Sequence, residues 1–317
     1  MNALEACGLA VGHATDLDGV TGCTLLRGID APFRCSVHVI GRATGTRELT
    51  LLEPGHLVDR VDAILLSGGS AYGLDATAGV MRWMEERGRG FPVGVGVVPI
   101  VPAAVIFDLV PLGSFDARPT PQMGYDACEA ASSQPVAEGS VGAGTGATLG
   151  KIAGPASAMK GGIGVGVAQA GDVIVHAMTV VNALGDVRDA GGTIIAGARD
   201  ENGAWLDSAA FIANASATNA DFDQVAGRNT TLCVVSTNAD LDRVQLRAMA
   251  RAASAALYRR ITPVGTEFDG DVIFTTGPVE RGVRAAAAQV ENLAVLALER
   301  AIERAVRSRT PGETIAR

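Results

Sequence analysis

The 317-residue sequence is poor in the residues that mark several large classes of protein. Its five cysteines are odd in number and form no C-x-x-C pair or cysteine–histidine cluster, which argues against disulfides or zinc and for a reducing, cytoplasmic location. No uncharged apolar run reaches the roughly 18 residues that span a bilayer. The net charge of −8 disfavours a nucleic-acid backbone as partner. We therefore expect no metal, cofactor, membrane or nucleic acid.

Aromatic residues are scarce as well, at 4%, whereas 40 residues are glycine. Such a composition predicts a core built by close packing of backbone and small side chains. Lysine occurs only as Lys151 and Lys160, and the remaining basic residues are arginine. An ammonium group can shift its pKa when it is buried, which a guanidinium cannot do. The two lysines, both in one glycine-rich stretch, are therefore candidates for a chemical role.

The order of apolar runs and turn signals predicts one domain of the α/β (α+β) class, with helices layered over a largely antiparallel sheet. The polar stretch 199–229 has no clean period and is predicted to be an exposed, mobile connection. Helices are expected at 71–87, 123–132, 240–258 and 284–307. Strands are expected at 8–13, 34–40, 61–66, 93–107 (buried, with an irregular entry), 162–168, 172–181, 193–198, 230–237 and 271–275.

The glycine-rich segment 142–151 invites comparison with nucleotide-binding loops, because backbone amides and a lysine can cradle phosphates. The spacing does not fit. Thr145 stands where the phosphate loop needs its first glycine, and Ile152 stands where that loop needs a serine or threonine. Ala147 replaces the third glycine of the dinucleotide pattern. The chain also has no G-x-S-x-G motif, so an ordinary serine hydrolase has no anchor in the sequence.

Two further segments attract attention. Asp269 and Asp271 flank Gly270, so both carboxylates project from one face of an extended segment while the glycine lets another backbone come close. Such a pair can bind a cation, orient a base or share a proton, although the spacing alone favours a simple turn into a strand. At Asn229-Thr230 the long polar stretch runs directly into a buried-type strand.

Taken together, these pieces resemble the self-processing peptidases of the P1 or S58 family. That family includes aminopeptidase/esterases acting on D-amino acid derivatives, β-peptidyl aminopeptidases and the nylon-oligomer hydrolase. The resemblance spans nearly the whole chain. It is carried by Val11-Gly12-His13-Ala14, Leu66-Ser67-Gly68-Gly69-Ser70-Ala71-Tyr72-Gly73-Leu74, the stretch from Gly139 to Lys151, Val180-Val181-Asn182-Ala183-Leu184-Gly185, the junction at Thr230, and Asp269-Gly270-Asp271.

The resemblance implies a four-layer αββα sandwich of the N-terminal-nucleophile-hydrolase type, in which a precursor cuts itself before a serine or threonine. Position by position, that residue is Thr230. The single domain would be cleaved into an α chain, 1–229, and a β chain, 230–317. Most peptidase members have glycine before the nucleophile, whereas Asn229 here looks like the nylon-oligomer hydrolase branch.

The chemistry of such a threonine follows from its atoms. Its hydroxyl attacks the preceding carbonyl and forms an ester, which water opens. The α-amine released in this way titrates at roughly 7.7 to 8.0 when unperturbed, so it can act near neutral pH as general base for its own hydroxyl.

The resemblance also implies roles around this nucleophile. Lys151 would lie beside it and depress the pKa of the α-amine. Asn182 would donate its amide N–H to the oxyanion. Asp269 and Asp271 would orient the lysine and the nucleophile, and Tyr72 would be a wall or donor of the substrate pocket.

The expected function is hydrolysis of linear amides, such as ω-amino acid oligomers, β-peptides or amino-acid amides, by a homo-oligomer, often a tetramer in this family. Two alternatives remain. One is an acyltransferase of the ornithine acetyltransferase type, which shares the threonine nucleophile. The other is an uncleaved protein that binds an anionic ligand in its glycine-rich loop.

Overall fold

The computed structural model of the protein describes residues 2–214, 228–280 and 282–307. The helices are α1 Ala3–Ala6, α2 Ala76–Glu85, α3 Pro121–Glu129, α4 Ser208–Ala213, α5 Arg243–Arg260 and α6 Ala287–Arg307. The strands are β1 Leu9–Asp16, β2 Thr21–Gly28, β3 Arg34–Val39, β4 Gly45–Arg47, β5 Ala63–Ser67, β6 Phe91–Pro92, β7 Val97–Val98, β8 Ala103–Val105, β9 Thr148–Leu149, β10 Met159–Lys160, β11 Gly162–Ala170, β12 Val173–Asn182, β13 Asp186–Arg188, β14 Ile194–Ala196, β15 Thr230–Thr237, β16 Ile261–Thr262 and β17 Val272–Gly277.

Two five-stranded sheets form the centre of the molecule. The first has the order β1-β2-β5-β8-β4 and the second β11-β12-β15-β17-β3. Most neighbouring strands are antiparallel, as predicted, but β5 pairs with β8 and β15 with β17 in parallel. The arrangement confirms the predicted mixed class with helices over largely antiparallel sheets.

Alternation along the strands explains the four layers. In β15, Leu232 and Val234 pack between the two sheets, whereas Cys233 and Val235 face α5 and α6. In β5, Leu66 faces the second sheet and Leu65 faces α2 and α3. Since successive strand side chains point to opposite faces, each sheet buries both faces. The order of layers is therefore α2 and α3, first sheet, second sheet, α5 and α6.

Glycine allows the outer helices to approach the sheets closely. A Cβ at Gly164 in β11 would lie 2.1 Å from the carbonyl oxygen of Ala301 in α6, and one at Gly166 would lie 2.0 Å from that of Ala297. Any side chain there would separate helix from sheet. This contact confirms that the core depends on small residues rather than on large rings.

The predicted buried strand over 93–107 is wrong in its first half. Phe91–Pro92 and Val97–Val98 form a short exposed hairpin, and Val95 at its tip is fully exposed. Pro99 lacks the N–H that a central strand needs, so the sheet strand begins only at Ala103. An apolar run therefore does not guarantee burial.

Other boundaries differ by smaller amounts. The expected helix 71–87 begins as a 3-10 helix, Ser70–Asp75, and becomes α-helical only at Ala76. Strand β2 was not predicted, because its threonines and glycines weaken the apolar pattern. The predicted connection 199–229 contains α4, so its described part is not structureless; residues 215–227 lie outside the described residues.

Helix α5 has a well-defined start. The carboxylate of Asp242 accepts a hydrogen bond from the Gln245 amide at 2.8 Å, and the Gln245 side chain accepts one from the Asp242 amide at 2.9 Å. Across residues 2–214, 228–280 and 282–307, every helix is too short or too polar to cross a lipid bilayer.

Candidate active site

Three neighbouring strands of the second sheet bring five of the predicted site residues together. Thr230 opens β15, and its direct cross-strand partner is Asn182, the last residue of β12. On the other side of β15, Asp269 forms an isolated parallel bridge with Asn229 just before β17 begins. Lys151 follows β9 and reaches the same place. The five buried side chains are those of Thr230, Asn182, Lys151, Asp269 and Asp271. The site therefore lies at one end of β12, β15 and β17.

The Lys151 ammonium is held by oxygen atoms on both sides. Its Nζ donates to the carbonyl oxygen of Asn182 at 3.2 Å, to the Asn182 side-chain Oδ1 at 3.0 Å and to the carbonyl oxygen of Arg228 at 3.0 Å. The turn that aims it depends on Gly150, which has φ +68° and no room for a Cβ beside the Ala198 amide, 2.2 Å away. Lys151 thus connects β12 to the chain immediately before Asn229 and Thr230.

Burial lowers the pKa of Lys151 from 10.5 to about 7. The negative charge of Asp269 opposes this shift, and the positive charge of Arg228 adds to it. The lysine can therefore gain or lose a proton near neutral pH. The physical cause is that removing an ammonium from water disfavours its charged form, as the sequence analysis anticipated for a buried lysine.

The orientation of the Asn182 amide follows from its neighbours. Its Oδ1 accepts hydrogen bonds from Lys151 and from the Thr148 backbone amide at 3.0 Å. Its Nδ2 therefore faces the other way and donates to the carbonyl oxygens of Arg228 at 3.2 Å and Phe107 at 3.3 Å. With the Asn229–Thr230 bond intact, the predicted oxyanion donor thus contacts the carbonyl one residue upstream of the one that Thr230 would attack.

The carbonyl oxygen of Asn229 is bound by two other donors. The Thr230 hydroxyl donates to it with an Oγ1···O distance of 2.6 Å, and the backbone amide of Gly270 donates with an N···O distance of 2.8 Å. The hydroxyl thus lies against the carbonyl of the preceding residue in a buried site. Sequence analysis did not anticipate the contribution of the Gly270 amide.

The two aspartates accept hydrogen bonds from neighbouring backbone amides and from the Thr266 hydroxyl. Asp269 accepts hydrogen bonds from the Thr266 amide at 2.9 Å and the Thr266 hydroxyl at 2.6 Å, and Asp271 accepts one from the Thr231 amide at 2.6 Å. Burial, together with the nearby charge of Asp269, raises the pKa of Asp271 from 3.8 to about 7. In the part of the chain that the structure describes, no three His, Cys, Asp or Glu side chains are grouped as metal ligands would be.

Tyr72 lies apart from these five residues. It is 53% exposed, its ring meets that of Phe115 edge to face, and the Arg118 guanidinium carbon lies 3.6 Å from its ring centroid. None of its described contacts reaches Thr230. A role for Tyr72 in the substrate pocket therefore stays a prediction.

Asp108 and Arg228 are site residues that sequence analysis missed. Asp108 is buried, accepts hydrogen bonds from the Gly69 amide at 2.6 Å and the Thr21 hydroxyl at 2.8 Å, and its charge raises the pKa of Lys151. The only sequence signal for Asp108 is its position directly after the apolar run that contains β8. Arg228 contributes the positive charge that lowers the pKa of Lys151 and a carbonyl oxygen, and a carbonyl gives no signal in any residue type.

The lowered pKa of Lys151 predicts a specific pH dependence of stability. Between about pH 7 and 10.5 the unfolded chain binds a proton at this lysine that the folded chain does not, so the unfolding free energy should rise with pH. The slope for one proton is at most about 1.4 kcal/mol per pH unit. Urea unfolding of the Thr230→Ala chain, which stays in one piece if Thr230 makes the cut, measures it.

The matched control is the Thr230→Ala/Lys151→Met double variant, which lacks this proton. We expect the unfolding free energy of the Thr230→Ala chain to rise, relative to that of the double variant, as the pH increases from 7 to 10. A difference that stays constant over this range contradicts the lowered pKa. The raised pKa of Asp271 acts in a separate window, between 3.8 and about 7, where it lowers stability as pH rises.

Comparisons with known proteins agree with this architecture. The protein-family model "Peptidase family S58" matches residues 5–311. An uncharacterized aminopeptidase of Mycobacterium bovis is 40% identical over 314 residues, covering 90% of this chain and 86% of the relative. A 6-aminohexanoate-oligomer endohydrolase of an Agromyces species is 32% identical over 273 residues, covering 84% and 72%.

A solved structure, the L-aminopeptidase D-Ala-esterase/amidase of Ochrobactrum anthropi, is similar with a TM-score of 0.70 and 19% identity, covering 94% of this chain and 83% of that one. It is described as a variant of the N-terminal-nucleophile-hydrolase fold. The two helix-covered sheets share this fold, and the family match and the relatives' names define the protein as an amide hydrolase. The chain belongs to peptidase family S58.

Proposed function

We propose that the chain cuts its own backbone between Asn229 and Thr230 and that Thr230, as the new N-terminal residue, hydrolyses linear amides. The observation that carries this proposal is the 2.6 Å contact between the Thr230 hydroxyl and the Asn229 carbonyl oxygen in a buried site. Thr230 follows the last residue of the proposed N-terminal fragment, 1–229. It also opens β15, the central strand of the second sheet.

The first reaction balances within these atoms. The Thr230 oxygen forms a bond to the Asn229 carbonyl carbon, and the carbonyl electron pair moves onto its oxygen. When this intermediate collapses, the carbon–nitrogen bond breaks and the hydroxyl proton ends on the departing nitrogen. Water then adds to the ester, leaving a carboxylate on Asn229 and a free hydroxyl and α-amine on Thr230.

In the processed enzyme, the α-amine of Thr230 removes the proton from its own hydroxyl when that hydroxyl attacks a substrate carbonyl. In the intact chain Asn182 and Lys151 donate to the Arg228 carbonyl. Once the Arg228–Asn229 end moves away, the Asn182 Nδ2 and the Lys151 Nζ can donate to the substrate. We assign the stabilisation of the substrate oxyanion in the hydrolysis step to the Asn182 Nδ2.

The proposed substrates are ω-amino acid oligomers, β-peptides or amino-acid amides. Support comes from the relatives, one named an aminopeptidase and another an oligomer endohydrolase acting on 6-aminohexanoate units. The binding-protein alternative is weaker, because residues 142–151 are buried and their amides do not face a solvent-borne anion. A homo-oligomeric state, expected to be a tetramer, and a cytoplasmic location belong to the same proposal.

Intact mass measurement of freshly purified protein tests the cut. We expect two fragments, the smaller beginning Thr-Thr-Leu-Cys, in a preparation that releases amines from 6-aminohexanoate oligomers, β-dipeptides or D-amino-acid amides. Active material made only of the full-length chain would contradict self-processing. Activity on one class of the panel would identify the substrate.

A further inference from the structure

We propose that the backbone amide of Gly270 stabilises the negative charge that forms on the Asn229 carbonyl oxygen during self-cleavage. Self-cleavage and substrate hydrolysis would then use different oxyanion donors, the Gly270 amide for the first and the Asn182 side chain for the second. This inference rests on the proposed cut between Asn229 and Thr230.

The geometry singles out one lasting donor. In the intact chain, the Asn229 oxygen accepts hydrogen bonds from Gly270 N at 2.8 Å and from the Thr230 hydroxyl at 2.6 Å. The hydroxyl bond disappears in the reaction, because that oxygen loses its proton as it binds the carbonyl carbon. The Gly270 N–H keeps its proton throughout and faces the oxygen on which the charge develops.

Asn182 is occupied elsewhere at this stage. Its Nδ2 donates to the carbonyl oxygens of Arg228 and Phe107, and its Oδ1 is fixed by Lys151 and the Thr148 amide. Reaching the Asn229 oxygen would break these bonds. The side chain that suits a substrate oxyanion therefore serves, in the precursor, to hold the upstream chain.

The Gly270 amide is held rigidly from the opposite side. The carbonyl oxygen of Asp269 accepts backbone hydrogen bonds from Arg42 at 2.8 Å and Ala43 at 2.9 Å, and that of Asp271 accepts one from Ile40 at 2.9 Å. The first two bonds hold the peptide unit that carries the Gly270 N–H, and the third holds the chain two peptide units further on. A donor fixed before the reaction needs no reorganisation when charge appears, which is what makes it effective.

Space explains why position 270 is glycine. A Cβ there would lie 2.8 Å from the Thr230 hydroxyl oxygen and 2.6 Å from the carbonyl oxygen of Ala43. Any side chain would push the nucleophile or the clamping segment away. The glycine between the two aspartates thus lets the amide and the nucleophile meet at one carbonyl.

An amide-to-ester exchange tests the proposal directly. Cell-free translation with a chemically charged suppressor tRNA places glycolic acid at position 270, which replaces the N–H by an oxygen and adds no atom. We expect the two fragments to appear about 10²- to 10³-fold more slowly than from the unmodified chain, the usual loss for one oxyanion donor. Cleavage of the ester chain at the unmodified rate would overturn the proposal.

Glycolic acid at position 139 is the matched control. Gly139 is also buried, and its amide donates to the Ile163 carbonyl at the same distance, 2.8 Å. The backbone hydrogen bonds of Gly139 join it to Ile163 and Val141 rather than to the carbonyl of Asn229. We expect cleavage of this chain to slow by no more than a few-fold. Equal slowing of both ester chains would overturn the proposal, since any lost backbone bond would then have the same effect.

Folding of the ester chain is checked by its resistance to trypsin relative to the Thr230→Ala chain. If the ester chain is digested, the deciding measurement is the scalar coupling across the hydrogen bond from Gly270 N to the Asn229 carbonyl carbon in deuterated Thr230→Ala protein. Its presence supports the proposal and its absence overturns it. Failure of the unmodified chain to release a Thr-Thr-Leu-Cys fragment would instead defeat the proposed function itself.

Discussion

Thr230→Ala should leave the chain in one piece and abolish amide hydrolysis. Alanine has no oxygen to attack the Asn229 carbonyl and none to attack a substrate. Loss of a nucleophile in hydrolases that act through a covalent intermediate lowers kcat by several orders of magnitude, so we expect a fall of at least about 10⁴-fold. Denaturing gels and intact masses report the cut, and amine release from the most active substrate reports hydrolysis.

Thr230→Ser is the matched control, because it keeps the hydroxyl and removes only a methyl group. We expect it to yield both fragments and to retain hydrolysis within about tenfold, in line with the small energetic weight of one methyl group. Two fragments from Thr230→Ala would place the cut at another bond or assign it to a contaminating protease. Full activity of an uncut Thr230→Ala chain would remove Thr230 from the mechanism.

Lys151→Met should produce the second large loss. It removes one of the two donors to the Asn182 Oδ1 and, in the intact chain, one of the two donors to the Arg228 carbonyl. The Asn182 amide can then turn away from the oxyanion. The site also loses the Lys151 amine, although it keeps the α-amine of Thr230. We expect kcat/KM, counted per chain that begins with Thr230, to fall more than about a hundredfold, the scale of one lost oxyanion donor or general acid–base group.

Lys160→Met is the appropriate comparison, since Lys160 is the other buried lysine. Its Nζ donates to the carbonyl oxygens of Gly144 at 2.7 Å, Gly161 at 3.0 Å and Ala147 at 3.2 Å, so it closes the glycine-rich segment on itself. We expect a lower melting temperature but a kcat/KM within about tenfold of the unmodified enzyme when assayed well below that temperature. Equal losses in both variants would show that Lys151 is only structural.

Sequence patterns predicted the central strands because a strand that is buried on both faces forms a nearly continuous run of apolar and β-branched residues. The runs that became β5 and β15 are short, β-branched or leucine-rich, and bounded by polar residues. The exposed hairpin at 91–98 shows the limit, since its valines look like core residues. The residue type of Val95 does not predict that its side chain is fully exposed.

The location of the candidate site was predictable where a distinctive side chain marks it. Thr230, Lys151, Asn182, Asp269 and Asp271 were named through the resemblance, and the structure brings them together. The pairing of Asn182 with Thr230 joins residues far apart in the chain, so no short-range pattern encodes its register. The Arg228 carbonyl and the Gly270 amide are backbone groups that every residue possesses, and only the missing Cβ of Gly270 hints at a close approach.

The order of strands in the second sheet has a consequence for the processed enzyme. β15 and β17 lie between β12 and β3, so a cut before Thr230 would leave one piece wedged into the middle of the other. Neither piece would hold the complete second sheet alone. Recovery from unfolding would become a second-order encounter that depends on enzyme concentration, whereas the precursor folds at a rate independent of dilution.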